Sequence, residues 1–260
     1  MSKAQVFRAI AHQRRTINRF QIDRIIPPET LQDILESTLR TPTSFNLQPT
    51  QVILVQNSAT LQELAEHVML GPRNQYRTKD CSAMVVFLAD LQASQRISRI
   101  LQLEQGHRHP AYLSMLPLYT SFLLGEGHLA TALKQGVTRV LSSATEQPQP
   151  QIEPIQTWST KQTALMAQSF ILAATSHDIG TCVMEGFDGN QMKEVLRIPD
   201  RYHVPLVVAM GYEYEESATD RIQYTPRLPL EEVVFADTFG EPYHAVRNNT
   251  EDDDDAVANA

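Results

Sequence analysis

Two neighbouring guanidinium groups and a hydroxyl, Arg14-Arg15-Thr16, can grip a phosphate monoester or the anionic edge of a ring through charge-assisted hydrogen bonds. The same triplet also suits the solvated end of a helix, where cations meet the negative end of the dipole. Thr43-Ser44-Phe45-Asn46 gathers hydroxyl and amide groups between turn formers, which is ligand-binding chemistry or plain turn chemistry. In Glu185-Gly186-Phe187-Asp188, a glycine at a strand end lets another group approach the backbone, and Asp188 can cap the helix that follows. Arg227 supplies a further, isolated cation. His107-Arg108-His109 holds two imidazoles but has no carboxylate or cysteine cluster beside it, so a polar loop is the better reading than a metal site. Gly125-Glu126-Gly127-His128-Leu129-Ala130 fits the spacing of a dinucleotide-binding turn, yet Pro117 breaks the stretch before it and no second strand ending in an acid follows.

These groups need elements to hold them. Val6, Ala9 and Ile10 recur at helical spacing, which predicts a first helix over 3–12 and puts Arg14 and Arg15 at its end. Leu31, Ile34, Leu35 and Leu39 share one face of a second helix over 29–39. The Thr43 segment is then a helix-to-strand loop ahead of a strand at 51–55. A helix over 61–69, a polar loop carrying Asn74, Arg77 and Lys79, and an apolar strand at 83–88 come next. Residues 92–157 read as an excursion from the core, with the apolar run around Leu113, Met115, Leu116, Tyr119 and Phe122 suited to core, to a lid or to a partner surface. A long helix from Trp158 to Ala174, a strand at 181–184, a helix at 189–196 and a buried strand at 204–212 complete an α+β pattern.

With 42% hydrophobic residues in 260, the chain can bury a sizeable core. Part of the net charge of -8 sits in the acidic run 251–255, so 246–260 is expected to be a disordered tail behind a single domain of 1–245. The acidic balance, with no basic and aromatic patch, argues against nucleic acid. Cys81 and Cys182 are too far apart for a CxxC pair and read as buried free thiols, which fits a cytoplasmic protein. The apolar stretch 111–124 is too short to span a bilayer.

Taken together and in this order, the four segments resemble the FMN-dependent nitroreductase family, over 7–88 and 158–230. The resemblance implies an α+β fold with a central mixed, largely antiparallel sheet flanked by helices, in an interlocked homodimer with flavin at the interface. Arg14, Arg15 and Thr16 look like the family's Arg-Arg-Ser motif on the flavin phosphate and ring edge. Asn18 stands where the family usually has a basic residue. Thr43, Ser44 and Asn46 resemble the loop that reaches the flavin held mainly by the other subunit, with Phe45 lining the substrate pocket. Asn74 and Arg77 fall where an Asn and a Lys meet the ring, Glu185 and Gly186 where backbone amides approach N5, and Arg227 where a late Arg binds phosphate. The activity implied is ping-pong transfer from NADH or NADPH, through FMN, to a nitroaromatic, quinone or related small-molecule acceptor. Two alternatives stay open: a dehalogenase or flavin-fragmenting relative on the same scaffold, and a flavin-binding or regulatory homodimer without turnover.

Overall fold

Every residue of β2, Ala83–Asp90, is buried, and the rest of the sheet is built outward from it. The computed structural model describes residues 1–145, 148–214, 225–241 and 243. β1, Thr50–Val55, and β6, Tyr202–Gly211, flank β2, and β5, Gly180–Met184, pairs with the far side of β6. All three pairings are antiparallel, in the order β1-β2-β6-β5. Parallel pairing among the described residues is confined to the bridge between Thr16 and Thr181 and to the short ladder of β3, Leu124–Gly125, with β4, Glu153–Pro154.

Both faces of the sheet are covered, which is why β2 reads as an unbroken apolar run. Met84, Val86, Val207, Ala209, Cys182 and Met184 point to one side, where α3, Ser58–His67, and α9, Gly189–Leu196, lie. Val85, Phe87, Val208 and Met210 point to the other, against α2, Pro28–Thr38, and α8, Ile155–Ser176. Phe87 meets Phe170 of α8 edge-on, with ring centroids 5.7 Å apart. The first helix, α1, is Lys3–Gln13, and its capping box at Ser2 and Gln5 fixes where it starts.

One expectation needs correcting. The polar segment with Asn74, Arg77 and Lys79 is a helix, α4, Pro72–Asp80. Gly71 at φ 76° turns the chain, Pro72 opens the helix, and packing on α3 substitutes for the apolar stripe that would have announced it. In the excursion, α6 runs Pro110–Leu123 with Pro117 inside it. Leu116 and Thr120 on its inner face are fully buried, and the Thr120 hydroxyl donates to the Leu116 carbonyl at 2.7 Å.

The excursion proves to be ordered helices: α5, Ile97–Glu104, then α6, then α7, His128–Ala144. A third apolar cluster of Leu47, Ala93, Ile97, Ile100, Leu116 and Leu124 roots it to the loop ahead of β1, and Phe45 and Trp158 pack on that cluster. Cys81 and Cys182 are buried free thiols, and burial pushes the Cys81 thiol up to about 12. No helix among the described residues is long and apolar enough to cross a membrane. The chain divides into two units, Met1–Asp220 and Arg221–Ala260. The second holds the short α10, Leu230–Val233. The expected tail 246–260 lies outside the described residues.

Candidate functional site

Residues 14–18 leave α1 and run beside the free edge of β5. The Ile17 amide donates to the Thr181 carbonyl at 3.0 Å, and Thr16 bridges to Thr181. That places Arg14, Arg15, Thr16 and Asn18 along one sheet edge. A small cleft there is lined by Arg14, Arg15, Asp178, Thr181 and Glu213. Arg15 forms a two-pronged ion pair with Glu213, its Nη1 donating to Oε1 at 2.6 Å, while the Arg14 guanidinium has no hydrogen bond or ion pair among the described residues. Glu213 gives no sign of this role in the sequence, since it is distant from Arg15 and follows an ordinary strand.

A hydrogen-bonded chain continues from this edge. The Arg77 guanidinium donates to the Asn18 side-chain oxygen and, at 3.2 Å, to Asn74 Oδ1. Asn74 Nδ2 in turn donates to the carbonyls of Leu70, at 3.1 Å, and Gly186, at 3.2 Å. The Leu70 amide donates to the same Gly186 carbonyl at 2.9 Å. With its carbonyl thus engaged, the 185–186 turn keeps two amide N–H groups, those of Glu185 and Gly186, without a partner among the described residues. A Cβ on Gly186 would stand 2.5 Å from Asn74 Nδ2, so a larger residue would push the Asn74 amide out of this position. Asp188 caps α9, its Oδ1 accepting from the amides of Asn190 at 2.9 Å and Gln191 at 3.1 Å. The result is a rim of cation and N–H donors, of the kind that holds an electron-rich planar ligand. Burial raises the nearby Cys182 thiol, and the Arg77 charge opposes that rise only in part.

Thr43, Ser44, Phe45 and Asn46 are elsewhere. Their loop precedes Thr50 at the opposite edge of the sheet, three strand spacings or about 14 Å across. Phe45, Asn46 and Gln48 all have left-handed backbones, at φ 56°, 52° and 47°. Such strain persists where surrounding contacts over-determine it. Here Leu47 is wholly buried, the Ser44 amide donates to Gln162 of α8 at 2.9 Å, and Asn46 Nδ2 donates to Glu104 of α5 at 2.9 Å. A buried knot adds to this. Asp90 accepts from Arg201 Nε at 3.1 Å and Arg96 Nε at 3.0 Å, and Arg96 also donates to the Gln48 carbonyl at 2.9 Å. Glu104, Gln162 and Asp90 lie far from the loop in sequence, which is why motif reading missed them.

Arg227 lies in the second unit, where its guanidinium donates to the carbonyls of Thr225 at 3.0 Å and Pro226 at 3.2 Å. No group of His, Cys, Asp and Glu among the described residues could hold a metal ion.

Known proteins share this arrangement of elements. An NADH dehydrogenase of Thermus thermophilus is 27% identical over 226 residues, which span 86% of this chain and 93% of that protein. The nitroreductase family protein of Streptococcus pneumoniae has the same fold, with a TM-score of 0.67 at 19% identity over 88% of this chain and 99% of that one. A protein of Exiguobacterium sibiricum solved in complex with FMN matches with a TM-score of 0.62 at 20% identity, over 88% and 95% of the two chains. The model of the nitroreductase family matches residues 11–212, which take in both sheet edges and every candidate residue but Arg227, and the chain belongs to that family.

Proposed function

We propose that this protein is an FMN-dependent oxidoreductase that draws on NADH or NADPH and works as a homodimer. The observation that carries the reading is the β5 edge: a glycine against which the Asn74 amide packs closely, two amide N–H groups without a partner among the described residues, and the Arg77 guanidinium fixed between Asn18 and Asn74. The residues fit the flavin. Asn74, Arg77, Glu185 and Gly186 would face its ring, and Arg14 and Thr16 its phosphate. Arg15 fits less well while Glu213 holds it, and would join once that pair opens.

FMN when bound supplies the redox chemistry, accepting a hydride from the nicotinamide and passing two electrons to a nitroaromatic, quinone or related acceptor in a ping-pong cycle. The chain's own part is to bind, orient and tune. Arg77 holds a fixed positive charge beside the ring, which favours electron uptake, and the donors at Glu185 and Gly186 fix the ring's position. A second copy is needed because Thr43, Ser44 and Asn46 sit at the far edge of their own sheet. From another subunit they would close over the flavin, with Phe45 lining the substrate pocket. The names of the relatives support the reading, one an NADH dehydrogenase and another solved with FMN.

Steady-state oxidation of NADPH and NADH with menadione or nitrofurazone as acceptor tests it. Turnover with parallel lines in double-reciprocal plots is the expected result. Flavin bound without turnover would leave a flavin-binding protein and overturn the assignment as an enzyme.

A further inference from the structure

The cleft at the β5 edge sets Arg14 and Arg15 against two carboxylates, Asp178 and Glu213, so its charges cancel at neutral pH. Asp178 is turned to Gln13, whose Nε2 donates to its Oδ1 at 2.7 Å, and Arg14 has no hydrogen bond or ion pair among the described residues. Glu213 instead takes both outer nitrogens of Arg15, Nη1 donating to Oε1 at 2.6 Å and Nη2 to Oε2. A phosphate monoester would bind a guanidinium in the same way, with two oxygens on two parallel N–H groups. The carboxylate and a phosphate therefore compete for the same donors.

Glu213 is kept in place by bonds that do not involve its carboxylate. The Gln21 amide donates to the Tyr212 carbonyl at 2.8 Å, Gln21 Nε2 to the Glu213 carbonyl at 2.7 Å, and the Tyr214 amide to the Arg19 carbonyl at 3.1 Å. Only side-chain torsions have to change for the pair to open. Exposure decides that it can. The Arg15 and Glu213 side chains are 29% and 23% exposed, so water takes over either charge as they part, and such a pair adds little net stability. The Asp90 carboxylate, held by Arg96 and Arg201, is wholly buried, and opening that pair would strand a charge.

We propose that Glu213 is a built-in competitor of the ligand's phosphate at Arg15, and that it sets how strongly the site prefers a phosphorylated flavin to an unphosphorylated one. The inference rests on the flavin site of the proposed function. A flavin phosphate entering the cleft meets Arg14 first and gains Arg15 only by displacing the carboxylate, so part of its binding energy goes into opening the pair. A flavin without a phosphate never touches the pair and is indifferent to Glu213.

The test titrates the full chain, stripped of flavin, with FMN and with riboflavin, following flavin fluorescence in the wild type, Glu213→Gln, Arg15→Ala and the double variant. Because backbone bonds hold 212–214, Glu213→Gln should melt as the wild type does; Glu213→Ala, with the same expected gain, replaces it if it does not fold. The expected result is FMN binding about fivefold tighter in Glu213→Gln, the scale of a part-exposed ion pair, with riboflavin binding unchanged. In the Arg15→Ala background the same substitution should leave FMN binding unaltered, since the competition is gone. FMN binding that stays the same or weakens in Glu213→Gln overturns the inference, and so does an equal gain for riboflavin. A gain that persists in full without Arg15 overturns it as well, because Glu213 would then act by repelling the phosphate alone. If no variant and no wild-type protein binds either flavin, the flavin reading falls and the inference with it; if all bind FMN equally, the inference alone falls.

Discussion

The two sheet edges prepare for a ligand in opposite ways. At the β5 edge a relay of side-chain hydrogen bonds, Asn18 to Arg77 to Asn74 to Gly186, orders the donors and leaves two amides without a partner among the described residues. At the β1 edge the order lies in the backbone, where three left-handed residues are pinned by burial of Leu47 and by the Asp90 knot. In the proposed function one edge binds the ligand and the other is presented to it. The sheet keeps the two edges of one chain apart, so the proposed chemistry calls for a second copy.

The largest effect is expected where the β1 edge is pinned. Asp90→Ala would strand Arg96 and Arg201 beside a buried vacancy, and breaking such a pair costs about 3–5 kcal/mol. Chemical denaturation measures it. The pH dependence has a definite sign. Burial pushes the Asp90 carboxyl up, but hydrogen bonds from Arg201, the Gln92 amide and Arg96 outweigh it and hold the group below its ordinary value. A depressed carboxyl stabilises the fold above its unfolded value of about 3.9 and loses that contribution as the pH falls through the lower folded value. The gap between wild type and variant should therefore be full near neutrality and close in acid.

At the β5 edge the effects should fall on the flavin with the fold intact. Arg77→Ala is expected to weaken FMN binding by about 100-fold, the loss of a charged hydrogen-bond donor, and to lower the flavin potential and slow its reduction. Dye-equilibration potentiometry reads it, and an unchanged potential would remove Arg77 from the site. Gly186→Ala should cost about tenfold in FMN affinity, because the new Cβ displaces Asn74 and slackens its hold on Arg77. Fluorescence titration measures that, and an unaltered affinity would mean that the relay does not shape the site. Asn46→Ala should have the smallest effect on FMN affinity, about threefold, since its side chain is already engaged with Glu104 and acts on the flavin only through the presented loop. If it exceeds the effect of Arg77→Ala, the two edges have been assigned the wrong parts.

What the sequence revealed follows the same division. Short apolar runs of strand length announced β1, β2, β5 and β6, and the glycine of 185–188 and the cations of 14–15 stood out because their chemistry is local. Helix α4 did not, since its stabilisation comes from packing on α3 and from Pro72, with almost no apolar periodicity of its own. Pro117 is tolerated inside α6 because burial of Leu116 and Thr120 outweighs the cost of one missing hydrogen bond. The partners that fix the β1 loop, Glu104 and Gln162, lie 58 and 118 residues from Asn46 and Ser44, and only tertiary packing brings them there.

The visible spectrum of the purified protein, before and after anaerobic NADPH, with the released cofactor identified by chromatography, tests the central claim most directly. The account predicts a flavin spectrum, bleaching by NADPH and release of FMN. A colourless protein that takes up no added FMN would contradict it, and with it the reading of Arg14, Asn74, Arg77 and Gly186 as a flavin site.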